Sequence, residues 1–225
     1  MLRRILRALL IICYPSRCPF CGVLVEKEGE HCKECREELP YCQKYRLTPN
    51  SKRNDVFCVR APFYYVGAAK RAAKALKFHR HKSAAIHFAR AMAELEQVSG
   101  LREADYVTAV PLSAKRYNSR GFNQSELIAE QYAMIKGFPY LSVLEKWKDT
   151  PKQSLQISAR ARAANVKGCY RVIEEQAVRG KTIVLVDDIY TTGATLRECA
   201  RMLRKAGAKC VIGVCGCVSG KKKQT

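Results

Sequence analysis

The part of this chain that most restricts its fold runs over residues 183–207. Ile183, Val184, Leu185 and Val186 form an unbroken apolar, β-favouring run, the pattern of a strand covered on both faces. Asp187 and Asp188 follow, then Ile189 and the turn Tyr190-Thr191-Thr192-Gly193-Ala194-Thr195. From Leu196 to Lys205, Leu196, Cys199, Ala200 and Leu203 fall at helical spacing, with Arg197, Arg201 and Arg204 opposite. Gly207 is placed to cap the C-terminus of that helix. A buried strand that enters a helix through one short turn implies an α/β parallel sheet flanked by helices. The 225 residues suffice for one such domain of about 150 residues and a small appendage.

The turn has the chemistry of an anion site. Unpaired N–H groups at the helix start, the hydroxyls of Thr191, Thr192 and Thr195, and a glycine that admits close approach cradle a phosphate together. Asp187 and Asp188 would repel that phosphate, but they accept hydrogen bonds from vicinal hydroxyls, which a ribose 5-phosphate carries a few bonds away. Sugar and phosphate are thus read by adjacent halves of one segment. Neither Gly-x-Gly-x-x-Gly nor Gly-Lys-Ser/Thr occurs here, which sets aside the Rossmann and P-loop readings.

Charge and cysteine bound the rest. The formal charge is +21, and four successive stretches of the chain each carry a surplus of five or six positive charges, so the excess is no basic tail. That balance points to polyanionic partners, nucleic acid or phosphorylated ligands. Of the 12 cysteines, seven fall by residue 58, and Cys18-Pro-Phe-Cys21-Gly and Cys32-Lys-Glu-Cys35 form two Cys-x-x-Cys knuckles. Such spacing lets Cys18, Cys21, Cys32 and Cys35 share one structural zinc, whose binding supplies the folding energy a small coreless segment lacks. The basic start Met1 to Cys13 has an apolar run of only six residues, Ala8 to Cys13, and reads as an amphipathic helix over Leu2 to Cys13, without transmembrane length.

The polar stretch Leu47 to Asp55 reads as a linker, dividing a zinc-binding region at 1–55 from the main domain at 56–225. Val56 to Val66 suggests strand or hairpin, and Gly67 to Lys77 and Ser83 to Gln97 suggest helices. Between them Lys77, Phe78, His79, Arg80, His81 and Lys82 form either a solvated loop or a site where an aromatic stacks on a base. Tyr106 to Leu112 is a second strand, followed by what reads as a basic loop with Lys115, Arg116 and Arg120, suited to pyrophosphate, and then a helix over Ser125 to Lys136. Residues 147–171 are polar and basic, Arg160 and Arg162 included, without a strand signal, and read as an arm over the site. Cys210 to Val218 is a further strand.

Residues 184–196 resemble the phosphoribosyl pyrophosphate (PRPP) motif of type I phosphoribosyltransferases. With the two knuckles, Leu76-Lys77-Phe78, Val110-Pro111-Leu112, Arg120-Gly-Phe-Asn-Gln124, Gln153, Arg160 and Asn165, nearly the whole chain resembles the ComF (competence protein F) family. Members often carry further Cys-x-x-Cys pairs, whereas Cys42 and Cys58 have no such partner here. The resemblance implies a type I phosphoribosyltransferase-like fold, an N-terminal zinc region, magnesium with PRPP, and a part in DNA uptake during natural transformation. On that basis Asp187 and Asp188 are expected on the ribose, Tyr190 to Thr195 on the 5-phosphate, and Lys115, Arg116 and Arg120 on pyrophosphate. Lys77, Phe78, Arg80, Lys82, Arg160 and Arg162 are the expected contacts to single-stranded DNA. A cytoplasmic location follows, with the first helix able to touch the inner face of the membrane. The alternatives are an amidophosphoribosyltransferase-like enzyme of small-molecule metabolism and a zinc adaptor for a competence helicase or channel.

Overall fold

In the computed structural model, which describes residues 15–26, 31–42, 46–47, 58–78, 82–95, 103–150 and 164–219, the apolar run 183–186 lies in the interior of a six-stranded sheet. In chain order the elements begin α1 (Lys33–Glu38), β1 (Arg46–Leu47), β2 (Cys58–Arg60), β3 (Phe63–Tyr64), α2 (Gly67–Phe78), α3 (Ala84–Ala93) and β4 (Tyr106–Ala109). They continue α4 (Ala114–Arg120), α5 (Gln124–Lys136), β5 (Leu144–Lys146), β6 (Tyr170–Val172), α6 (Glu175–Val178), β7 (Thr182–Tyr190), α7 (Ala194–Lys205) and β8 (Cys210–Val218). The sheet order is β1-β2-β8-β7-β4, with β3 also on β8, and every pairing is parallel except β1 with β2.

Alternation along β7 and β8 builds two cores. Val184, Val186, Ile212 and Val214 face α2, α3 and α5, where Leu76, Phe88, Met92, Ile128 and Tyr132 are buried. Ile183, Leu185, Val211 and Cys215 face Leu196, Cys199 and Leu203 of α7 and the β5–β6 hairpin. Burying both faces is what makes the strand read as an apolar run. The N-terminal segment shares the first core: Phe20 packs edge-on against Phe63 and Phe88 at centroid distances of 5.9 and 6.0 Å. Among the described residues no helix is long and apolar enough to cross a membrane.

Three elements differ from the sequence expectation. β7 does not stop at Val186 but pairs with β8 as far as Tyr190↔Val218, because β8 is equally long, so only Thr191–Gly193 form the turn. The basic stretch after β4 is helix α4, begun by Ser113 and ended at Gly121. Tyr170–Val172, read as strandless, pairs with Leu144–Lys146. The helix placed at Leu2 to Cys13, most of the linker and Arg80, Gln153, Arg160 and Arg162 lie outside the described residues.

β4 lies between β7 on one side and a parallel bridge from Tyr140 to Val107 on the other. The chain leaving β4 through α4 and α5 therefore turns one way, while β7 lies the other way. The carboxyl ends of β4 and β7 diverge into a crevice, the place where open α/β sheets take ligands.

Candidate functional site

A cavity of about 410 Å³ opens at that crevice. This is the size of a small-molecule site. Its floor is the end of β7 with the turn into α7; its walls come from the β4–α4 connection, the start of α5, the β5–β6 hairpin, and Tyr65 and Lys77 at the two ends of the β3–α2 segment.

Local capping sets the carboxylate pair in place. Asn123 caps α5 by accepting from Ser125 N at 3.1 Å, and its Nδ2 donates to the Val110 carbonyl at 3.0 Å, tying the helix to the end of β4. Ser125 Oγ then donates to Asp187 Oδ1 at 3.0 Å, the same oxygen that accepts from Asp188 N at 2.9 Å. Asp188 Oδ1 accepts from Ile189 N at 2.8 Å. Asp188 Oδ2 is buried and has no hydrogen-bond partner; Lys77 Nζ reaches it at 3.8 Å, an ion pair too long to be a hydrogen bond. A buried carboxylate oxygen left without a donor, in a cavity wall, is a waiting acceptor for a ligand hydroxyl or a hard cation. β8 allows this close packing because Gly216 has no Cβ, which would stand 3.0 Å from the Asp188 carbonyl and 3.1 Å from the Phe88 ring.

Burial first, then the neighbouring Asp188 charge, pushes the Asp187 carboxyl well above its ordinary pKa; the hydrogen bonds from Ser125 and Asp188 N–H pull the other way without offsetting them. A carboxyl with a raised folded pKa costs stability that is full above the folded value, shrinks as pH falls below that value, and is gone once pH reaches the unfolded value. Asp187→Asn keeps the Oδ1 acceptor and removes the charge. It is expected to raise the thermal midpoint of the ligand-free protein at pH 7 by a few degrees, each kcal/mol being about 2–4 °C at this size. The advantage over wild type should shrink toward pH 5 in calorimetric scans; an advantage that is absent, or that grows on acidification, contradicts the assignment.

The turn is built around Gly193, at φ +71°. An added Cβ would lie 2.3 Å from Tyr190 Oη, so the ring covers the glycine directly. Arg197 braces both, donating to Tyr190 Oη at 3.2 Å and to the Thr192 carbonyl at 2.7 Å. Thr191, Thr192, Gly193, Ala194 and Thr195 line the cavity from this turn, with Ala194 N donating to Thr192 Oγ1 at 3.4 Å.

Of the cations expected on pyrophosphate, Arg116 and Arg120 line the cavity and Lys115 is exposed outside it. Arg116 donates to the Thr150 carbonyl at 3.4 Å, and Arg120 is bonded to Gln124 Oε1. The expected DNA contacts separate: Lys77 lines the cavity beside Asp188, while exposed Lys82 lies 5.4 Å from the Phe122 ring centroid. Sequence reasoning missed Tyr65, Ser125, Lys146, Thr150 and Tyr170 as cavity residues. For Ser125 the signal was present, in an Asn-Gln-Ser helix start that follows the second strand.

The four cysteines converge as expected, with the Sγ atoms of Cys18, Cys21, Cys32 and Cys35 all within 4.8 Å of one another. Four sulfurs bound at about 2.3 Å to one tetrahedral ion stand roughly 3.8 Å apart, so the donor set fits zinc closely. Cys32 caps α1 by accepting from Cys35 N at 3.4 Å, which fixes the second knuckle. Arg71 Nη2 lies 3.8 Å from Cys35 Sγ and 3.0 Å from Glu38 Oε2, bringing a positive charge to the cluster. His31, adjacent to Cys32, faces His87 at 3.2 Å.

Comparison with known proteins agrees with this geometry. The phosphoribosyl transferase domain matches residues 113–225. The chain is 31% identical to the DNA utilization protein YhgH of Salmonella typhimurium over 207 residues, 90% of this chain and 84% of that protein. It is 32% identical to competence protein ComFC of Streptococcus pneumoniae over 199 residues, covering 85% and 83%, and 24% identical to competence protein F of Haemophilus influenzae over 198 residues, covering 85% and 80%. A solved glutamine PRPP amidotransferase from B. subtilis is similar over 60% of this chain and 26% of its own, at 30% identity and a TM-score of 0.42. The chain belongs to the ComF family of phosphoribosyltransferase-domain proteins.

Proposed function

We propose that the cavity binds PRPP and that the protein, as a phosphoribosyltransferase, acts in the uptake and use of external DNA. The observation that carries the first half is the buried Asp188 Oδ2, which has no hydrogen-bond donor and only the longer ion pair to Lys77, next to the Thr191–Gly193 turn in the same cavity wall. Asp187 and Asp188 take the ribose hydroxyls, the turn and the start of α7 take the 5-phosphate, and Arg116 and Arg120 neutralise the pyrophosphate as it leaves the sugar carbon C1′ and an acceptor nucleophile or water bonds to that carbon in its place. Magnesium, when bound with PRPP, would neutralise phosphate charge and could use the same free carboxylate oxygen. Among the described cavity residues the only carboxylates are Asp187 and Asp188.

The four-cysteine cluster holds structural zinc in this reading, and the chain divides near residue 55 into the zinc region and the transferase domain, in the cytoplasm. The DNA half rests on the relatives' names and on a basic surface with exposed aromatics: Trp147 is 49% exposed with Lys148 Nζ 4.3 Å from its ring centroid, and Tyr117 is 47% exposed. These flank in sequence the cavity residues Lys146 and Arg116 and suit sequence-tolerant stacking of single strands. Competence helicase or channel proteins are the expected protein partners.

The test is pyrophosphate release from magnesium-PRPP by purified protein, with and without a single-stranded oligonucleotide. Release that the oligonucleotide accelerates, with binding that weakens steeply between about 50 and 200 mM salt, is the expected result. PRPP binding without release under any condition would leave a sensor in place of an enzyme, and no oligonucleotide binding at about 50 mM salt would remove the DNA reading.

A further inference from the structure

Lys146 is the buried cation of the cavity. Only 7% of the residue is exposed, yet it lines the open space at the crevice. Its backbone is fixed on two sides, by pairing with Tyr170 of β6 and by a bridge to Ser113. The ammonium donates to Thr150 Oγ1 at 2.9 Å and stands 5.4 Å from the Tyr170 ring centroid. Among the described residues no carboxylate lies within 4.0 Å of it. Asp149 accepts from Ser113 Oγ at 2.5 Å and attracts the ammonium only from beyond 4.0 Å. The neighbour on the other side is Arg116, a second cation, itself bonded to the Thr150 carbonyl.

A charge held out of water without a counter-ion opposes folding, and such groups persist where a ligand supplies the missing charge. Burial, followed by the repulsion of Arg116, lowers the pKa of this ammonium, as expected of a cation that lacks its partner. Tyr170 places the same wall beside Thr195 at the start of α7. We propose that Lys146 is a ligand-binding residue whose ammonium is the counter-charge to a phosphoryl group of the molecule in the cavity. This rests on the reading that the cavity takes a phosphorylated sugar. It adds to the turn and to Arg116 and Arg120 a further, rigidly mounted anion contact on the β5–β6 hairpin.

Two sources offer that group, a sugar 5-phosphate and pyrophosphate, so ribose 5-phosphate and inorganic pyrophosphate are the probes. The full-length wild type, Lys146→Met and Lys146→Arg are compared by calorimetric titration and thermal melting. Lys146→Met is expected to melt at or above the wild-type temperature without ligand, and to bind at least one probe roughly ten- to hundredfold more weakly, the loss of one charge-assisted hydrogen bond. Lys146→Arg should stay within a few-fold of wild type. The probe that is lost identifies which phosphoryl group the lysine reads.

A Lys146→Met protein that binds both probes like wild type overturns the assignment. So does one that melts lower without ligand, which is the signature of a lysine kept for packing, and so does a wild type that binds neither probe. Pyrophosphate binding that needs Lys146, in a protein that ignores PRPP, would keep this assignment and remove the PRPP reading. PRPP binding indifferent to Lys146→Met would do the reverse.

Discussion

Replacing Cys18 by serine is expected to empty the four-cysteine cluster of metal and unfold the segment around it. Structural zinc in small domains contributes about 10–16 kcal/mol of apparent binding free energy at pH 7, and in such segments that energy is folding energy. The described residues between 15 and 42 have little to replace it: their buried apolar side chains are Cys18, Pro19, Phe20, Cys35, Leu39, Pro40 and Cys42, three of them cysteines. Loss of the knuckle also withdraws Phe20 from Phe63 and Phe88, so the damage reaches the transferase core. Metal analysis should fall from one zinc per chain toward none, with rapid proteolysis near the N-terminus. Cys42→Ser should retain the metal, since Cys42 lies outside the cluster. A Cys18→Ser protein that keeps both zinc and fold would refute the ligand set.

The second large effect is expected at Gly193. A methyl group there would stand 2.3 Å from Tyr190 Oη, at a backbone φ of +71° that L-residues rarely adopt. The ring cannot yield without breaking its bond to Arg197, and the turn cannot yield without losing the bond from Arg197 to the Thr192 carbonyl. Gly193→Ala should therefore destabilise the fold by about 1–3 kcal/mol of local strain and distort the anion cradle. PRPP affinity is expected to fall by about a hundredfold or more, whereas Thr195→Val, which removes one hydroxyl, should cost about tenfold. Gly193→Ala with wild-type affinity would mean that the turn does not carry the phosphate.

Much of the architecture was legible because its signals are local. The run 183–186 and the amphipathic pattern to Leu203 each require only neighbours in sequence and fall in their expected elements, whereas the acid pair and Tyr190 lie within β7 because pairing with the equally long β8 continues past Val186. Cys-x-x-Cys spacing is likewise local, and the four sulfurs meet. Helix α4 was hidden because none of its residues is buried, so it carries no apolar stripe to read. The β5–β6 hairpin was hidden for a different reason: strands of three residues, 26 positions apart at Glu145 and Arg171, pair through contacts that no window contains. Lys146 looked like any lysine of a basic stretch until that hairpin buried it. Lys77 belonged in sequence to a basic cluster suited to nucleic acid, and only the direction of α2 brings it to Asp188.

A crevice between β4 and β7 that reads PRPP through its carboxylate pair has a direct signature in calorimetric titration of magnesium-PRPP into wild type, Asp187→Asn and Asp188→Asn. Each carboxylate offers charged acceptors to the ribose, worth about 1.5–3 kcal/mol, so each variant should bind roughly ten- to hundredfold more weakly while remaining folded. Wild-type affinity for PRPP in both variants would mean that the carboxylate pair does not read the ribose.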